Sequence, residues 1–129
     1  MTVEYTKHIP AAAGASVSYV FNGPTKLRWL LCKVVSAAGV GNRQIEFRIK
    51  NAAGTVLYSI AAGTVQAASL TRDYLFLPGC SREAAFVDIG ITTPIPPDAV
   101  IPASGSIQVI DTAAISALDT YALSIGAAE

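Results

Sequence analysis

Few residues in this chain have the type and spacing for chemistry, and each set falls short. The single histidine, His8, has no partner His or Cys at ligand spacing and reads as a surface residue. Glu83 and Asp88 offer the two carboxylates an acid–base hydrolase needs, but carboxylates near strand ends are ordinarily solvated or salt-bridged. Asp111 and Asp119 flank a turn near the C-terminal end. Two carboxylates supply too few of the roughly six oxygens that Ca²⁺ takes, and capping or turn roles suit them better. Cys32 sits in an apolar run and reads as a small buried hydrophobe, and Cys80 lies in a Pro-Gly-Cys-Ser turn; both are expected to be free thiols. Gly-x-Ser-x-Gly, Cys-x-x-Cys and P-loop patterns are missing from the sequence. The expectation is a protein that is not an enzyme and needs neither metal nor cofactor.

The elements that would position these groups read as strands. Ile45, Phe47 and Ile49 alternate with Gln44, Glu46, Arg48 and Lys50, a period of two with one oily and one polar face. After the small-residue break Asn51-Ala52-Ala53-Gly54, Val56, Tyr58 and Ile60 resume the alternation, which describes a β-hairpin. Further strands are expected over 16–21, 26–36, 70–77, 84–91 and 106–110, with a brief edge strand over 64–68. In 26–36, Leu27, Trp29 and Leu31 share one face and Leu30, Cys32 and Val34 the other. A strand apolar on both faces is central in a sandwich or half buried against a partner subunit, so Trp29 reads as core. The prolines Pro94, Pro96 and Pro97 argue against an internal strand and for an extended surface loop. The last stretch fits either a helix stripe (Ile115, Leu118, Ala122, Ile125) or a closing strand (Tyr121, Leu123, Ile125). The reading adopted is a turn over 112–118 and a strand over 120–126. The sum is one all-β domain over 1–129, an antiparallel β-sandwich of about eight strands, with an extended N-terminal arm over 1–13.

Bulk composition narrows the partner classes. Charged residues are 14% of the 129, beside 52% hydrophobic residues and 22 alanines. A lone domain in water keeps a more charged coat, so part of this surface is expected to be covered by neighbours. Net charge is zero, which argues against nucleic acid, and no run of eighteen apolar residues spans a membrane. The start MTVEYTKHIP lacks the apolar core of a signal peptide. Six bases and one acid lie between Lys26 and Lys50, whereas seven acids and one base lie between Asp73 and Glu129. If those segments occupied different edges, identical subunits would attract one another.

Several blocks carry a family likeness. Val40-Gly41-Asn42-Arg43-Gln44 before an alternating strand, then Asn51-Ala52-Ala53-Gly54 before a second, resembles small structural proteins of tailed bacteriophages. Ile101-Pro102-Ala103-Ser104-Gly105-Ser106-Ile107 and Asp111-Thr112-Ala113-Ala114-Ile115 extend the resemblance across about residues 14–126. It implies a jelly-roll-like virion protein, first among them a capsid decoration (cement) protein made in the host cytoplasm. Such a protein binds the major capsid protein on the outside of the head, often as a homotrimer, and bridges capsid subunits. Arg43 resembles a recurring family position whose role is to anchor the loop before the strand. The alternative is a tail, baseplate or fibre component that binds host-surface glycan, which calls for exposed aromatics in a groove. A core Trp29 speaks against that alternative. The contact segments expected are the arm (Val3, Tyr5, Lys7, His8, Ile9), the loop with Val40 and Arg43, and the proline loop (Ile95, Pro96, Pro97). Deletion of residues 2–12 is expected to leave a folded protein that no longer binds heads.

Overall fold

A computed structural model describes residues 3–80, 85–86, 90–97 and 99–129. Among them are eleven strands: β1 (Glu4–Ala13), β2 (Ser16–Val20), β3 (Thr25–Val35), β4 (Ile45–Lys50), β5 (Val56–Ala61), β6 (Thr71–Pro78), β7 (Ala85–Phe86), β8 (Gly90–Ile95), β9 (Val100–Ile101), β10 (Ser106–Asp111) and β11 (Thr120–Ala128). They form two sheets, β1-β11-β3-β6-β8-β7 with β9 beside β3, and β2-β10-β4-β5. All pairs are antiparallel except β6 with β8. The all-β sandwich expected from the alternation is the observed fold.

Alternation explains which side chains meet. Ile45, Phe47 and Ile49 of β4 and Ile107 and Val109 of β10 are buried on one sheet. Leu30, Cys32, Val34, Tyr74, Phe76, Tyr121, Leu123 and Ile125 are buried on the other. The layers touch where Phe47 meets Phe76, ring centroids 5.3 Å apart. In the β4–β5 hairpin Asn51 Oδ1 accepts from the amides of Ala53 and Thr55 at 3.0 and 2.9 Å. Gly54 follows in the left-handed region, φ 84°, where a side chain is strained. Residues 112–119 are loop and β11 closes the sheet, as the strand reading of the tail had it. Cys32 and Cys80 are both free.

Several expectations change. The arm is itself a strand: β1 pairs with β11 from Glu4↔Ala128 to Ala13↔Thr120. Its aperiodic sequence suits an edge strand whose faces are mostly exposed. Residues 64–68 contribute only a single bridge, Arg43↔Gln66. The expected strand over 84–91 is instead two strands that pair antiparallel, Phe86 opposite Gly90, with 87–89 outside the described residues. Pro94 lies inside β8 rather than in a loop. That is allowed because β7 pairs only with Gly90 and Ile91, so β8 has no described partner on that side by the time it reaches Pro94.

Trp29 is not in the core. The β3–β11 register places Trp29 opposite Gly126 but Leu27 opposite Ala127, so Arg28 is an extra, bulged residue. A bulge reverses the phase of alternation. Leu27 therefore points inward, whereas Trp29, Leu31 and Lys33 line the outer face and Leu30, Cys32 and Val34 take over the core.

Candidate interaction surface at the loop end

Three loops, 36–42, 62–70 and 112–118, meet at one end of the sandwich, and none contains an Asp, Glu, Lys or Arg. Their backbones are stitched together: Ser69 N donates to Ala37 O, Ser36 N to Leu70 O, and Thr112 N to Gln44 O. The loops hide their polarity inward. Arg43 and Asp119 are wholly buried and face each other, Nε to Oδ2 at 2.9 Å and Nη2 to Oδ1 at 3.0 Å. Nη1 of Arg43 donates to Gly39 O and Gly41 O at 2.8 and 2.7 Å, and Nη2 also reaches Ala37 O at 3.3 Å. All five guanidinium N–H groups thus have an acceptor. Asp119 Oδ1 accepts the Ala37 amide at 2.8 Å as well. Burial alone would push the Asp119 carboxyl up, but its bonds to Arg43 and Ala37 outweigh this and hold it below the usual range.

A second latch sits beside the first. Buried Gln66 donates to Val34 O and Leu70 O, each at 3.0 Å, and accepts from Tyr74 Oη at 2.9 Å. Ser36 Oγ donates to Ala67 O at 2.6 Å. Burial pushes the Tyr74 phenol up to about 12. Asp111, also buried, accepts from the amides of Gln44, Ala113 and Ile115 at 2.9 to 3.0 Å, the turn-capping role expected of it.

The chemistry of this arrangement is the display of apolar side chains on a stiff support. Val40 stands between the two carbonyls that Arg43 grips and is 95% exposed; Leu118, on the adjoining loop beside Asp119, is 74% exposed. Gly41 lets the loops touch: a Cβ there would lie 2.9 Å from Ile115 Cδ1.

The contact residues expected from the sequence are scattered by the fold. Arg43 does not face outward at all; its guanidinium is consumed by the loop it anchors. Ile95 is likewise buried, at the far end of β8 in the core. Pro96 and Pro97 are exposed, but they and Val3 lie at the end opposite Val40, as the strand directions require. Tyr5 and Ile9 pack against the core, Lys7 Nζ sits 5.7 Å from the Tyr19 ring centroid, and His8 Nδ1 is 3.2 Å from Ser124 Oγ. Of the charges in the two unlike segments, Arg43, Asp111 and Asp119 are buried and unavailable to a neighbouring subunit, and Glu83, Asp88 and Asp98 lie outside the described residues.

No family model and no curated protein matches the chain. Among solved structures it is similar to a chain of the infectious bursal disease virus Gx strain, with 10% identity over 99% of this chain and 31% of that one, TM-score 0.33. A chain of the Gt strain gives 11% identity over 99% and 30%, TM-score 0.28. A mutant VP2 protein of the same virus, from derived particles, gives 10% identity over 98% and 38%, TM-score 0.28. The chain spans about a third of the length of each. Similarity at this level carries no argument about function.

Proposed function

We propose that this chain is a virion structural protein of the capsid-decoration type, which works by binding and not by catalysis. It seats its loop end on the outside of a tailed-phage head and bridges neighbouring copies of the major capsid protein. The observation that carries this reading is the loop end, where Val40 and Leu118 project from charge-free loops clamped by the Arg43–Asp119 pair, with Arg72 Nη1 on Val65 O the cation beside them. A flexible loop would lose conformational entropy on docking, whereas one already fixed loses little. Burying an ion pair also adds little net stability compared with apolar packing. What the pair supplies is the shape of the surface. Association as a homotrimer would let modest contacts act together through effective concentration.

The test is co-sedimentation of the purified protein with heads lacking their decoration protein. The wild type should pellet with heads, and Val40→Asp combined with Leu118→Asp should stay in the supernatant with an unchanged Tm. Equal pelleting of both proteins, or of neither, overturns the reading. Copy number by quantitative mass spectrometry separates a head coat, at hundreds per particle, from a tail part.

A further inference from the structure

The outer faces of the two sheets differ. On the β2-β10-β4-β5 sheet that face is mostly polar, with Ser16, Ser18, Gln108, Lys50 and the ion pair Glu46–Arg48 beside the apolar Val20 and Ile110. On the other sheet, β11 runs as a trough. Ala122, Ser124 and Gly126 form its floor, with side chains of β1 on one bank and of β3 on the other. One section, about 590 Å³, is lined by Glu4, Thr6, Arg28 and Trp29. The next, about 470 Å³, is lined by His8, Leu31, Lys33 and Asp73. From Ala122 to Ala127 the floor is roughly 17 Å long at about 3.4 Å per residue.

Trp29 lies flat in this trough. A Cβ placed on Gly126 would stand 2.1 Å from Trp29 Nε1, 2.3 Å from Cε2 and 2.6 Å from Cδ1. Such even approach to three bonded atoms is what a point over the ring face meets; off the Nε1 edge, the other two atoms would be much farther away. One face of the indole therefore rests on the Gly126 backbone and the other is turned outward, the residue being half-buried. Covering a glycine across the strand pair accounts for the ring's position. It also leaves an aromatic platform with acid and base groups beside it.

We infer that the trough over β11 is a binding site for a neutral oligosaccharide, with a pyranose ring stacked on Trp29. Stacking a sugar's apolar C–H face on indole needs a flat ring with one face reachable from the groove, and Trp29 is partly exposed and lines the trough. The hydroxyls around that face need donors and acceptors together. The banks offer both: Glu4 3.5 Å from Arg28 at one end, and Asp73 opposite Lys33 at the other. Two acids against two bases favour an uncharged chain over an anionic one. An extended peptide is the poorer occupant, because β11 is paired on both sides and has no free backbone to offer it.

This inference stands apart from head binding, which uses the other end of the fold. The single Trp makes the test direct: titrate the full chain with cellotetraose, maltotetraose and chitotetraose while following Trp29 fluorescence. At least one should shift the emission saturably. By calorimetry, Trp29→Ala should then weaken binding about tenfold, the size of one lost stacking contact. Glu4→Gln and Asp73→Asn, surface changes that leave the fold alone, should each weaken it several-fold, and Val40→Asp should not change it. No shift with any of the three sugars overturns the inference. So does binding that survives all three trough substitutions, or a dimer in sedimentation that Trp29→Ala dissolves while no sugar binds.

Discussion

Arg43 is the residue on which the most structure depends, and its loss should be costly in a specific way. Arg43→Ala leaves the Asp119 carboxylate buried without a cation and frees the carbonyls of Gly39 and Gly41. Breaking a buried pair in this manner costs about 3–5 kcal/mol, measurable as a lower urea midpoint. Arg43→Lys should recover only part of that, since an ammonium cannot span both carboxylate oxygens and two carbonyls at once. The pH dependence follows from the lowered Asp119 carboxyl. A group held low in the folded state contributes stability that is complete above its unfolded value of about 3.9. That contribution is lost as pH falls from there through the folded value. A plot of Tm against pH should therefore slope down below about pH 4 in the wild type, and Asp119→Asn should flatten that limb while lowering its plateau.

At the scale of elements, two strands behave differently from a reading of their own sequence. β1 is held along β11 and packs Tyr5 and Ile9 against the core. Deleting residues 2–12 should therefore not leave a sound fold: it uncovers the β11 edge and invites strand pairing between molecules. Light scattering should show aggregation, and a native, monodisperse truncation would count against this account of β1. β3 changes phase at Arg28, and Trp29 then covers Gly126. Gly126→Ala should push the indole off the sheet, with red-shifted Trp emission and a loss of about 1–3 kcal/mol, the usual cost of overpacking.

For the whole molecule, the two ends of the sandwich are chemically distinct. The loops 36–42, 62–70 and 112–118 carry no charge of their own and no lysine, Arg72 on Val65 O being the cation beside them, whereas Lys26, Lys50 and Glu129 lie toward the other end. Orientation on a larger assembly should follow that difference. Lysine-directed cross-linking of the assembled particle should then modify Lys26 and Lys50 readily, while a probe at a Val40→Cys thiol is shielded. Free access at position 40 in the particle would reverse the orientation.

The alternation at Ile45–Ile49, the Gly54 turn, the low charge and the three uncharged loops were all legible in the sequence, because side-chain period and turn chemistry act between neighbours in the chain. Even the Arg43 latch left a trace: it is the one charge between Lys33 and Glu46, and Asp119 the one between Asp111 and Glu129. Nothing local says that these two, 76 positions apart, share a site. Only the folded chain decides that pairing, the bulge that turns Trp29 outward, and the tying of the first strand to the last. Each depends on which backbone lies alongside which, and a sheet sets that through contacts distant in sequence.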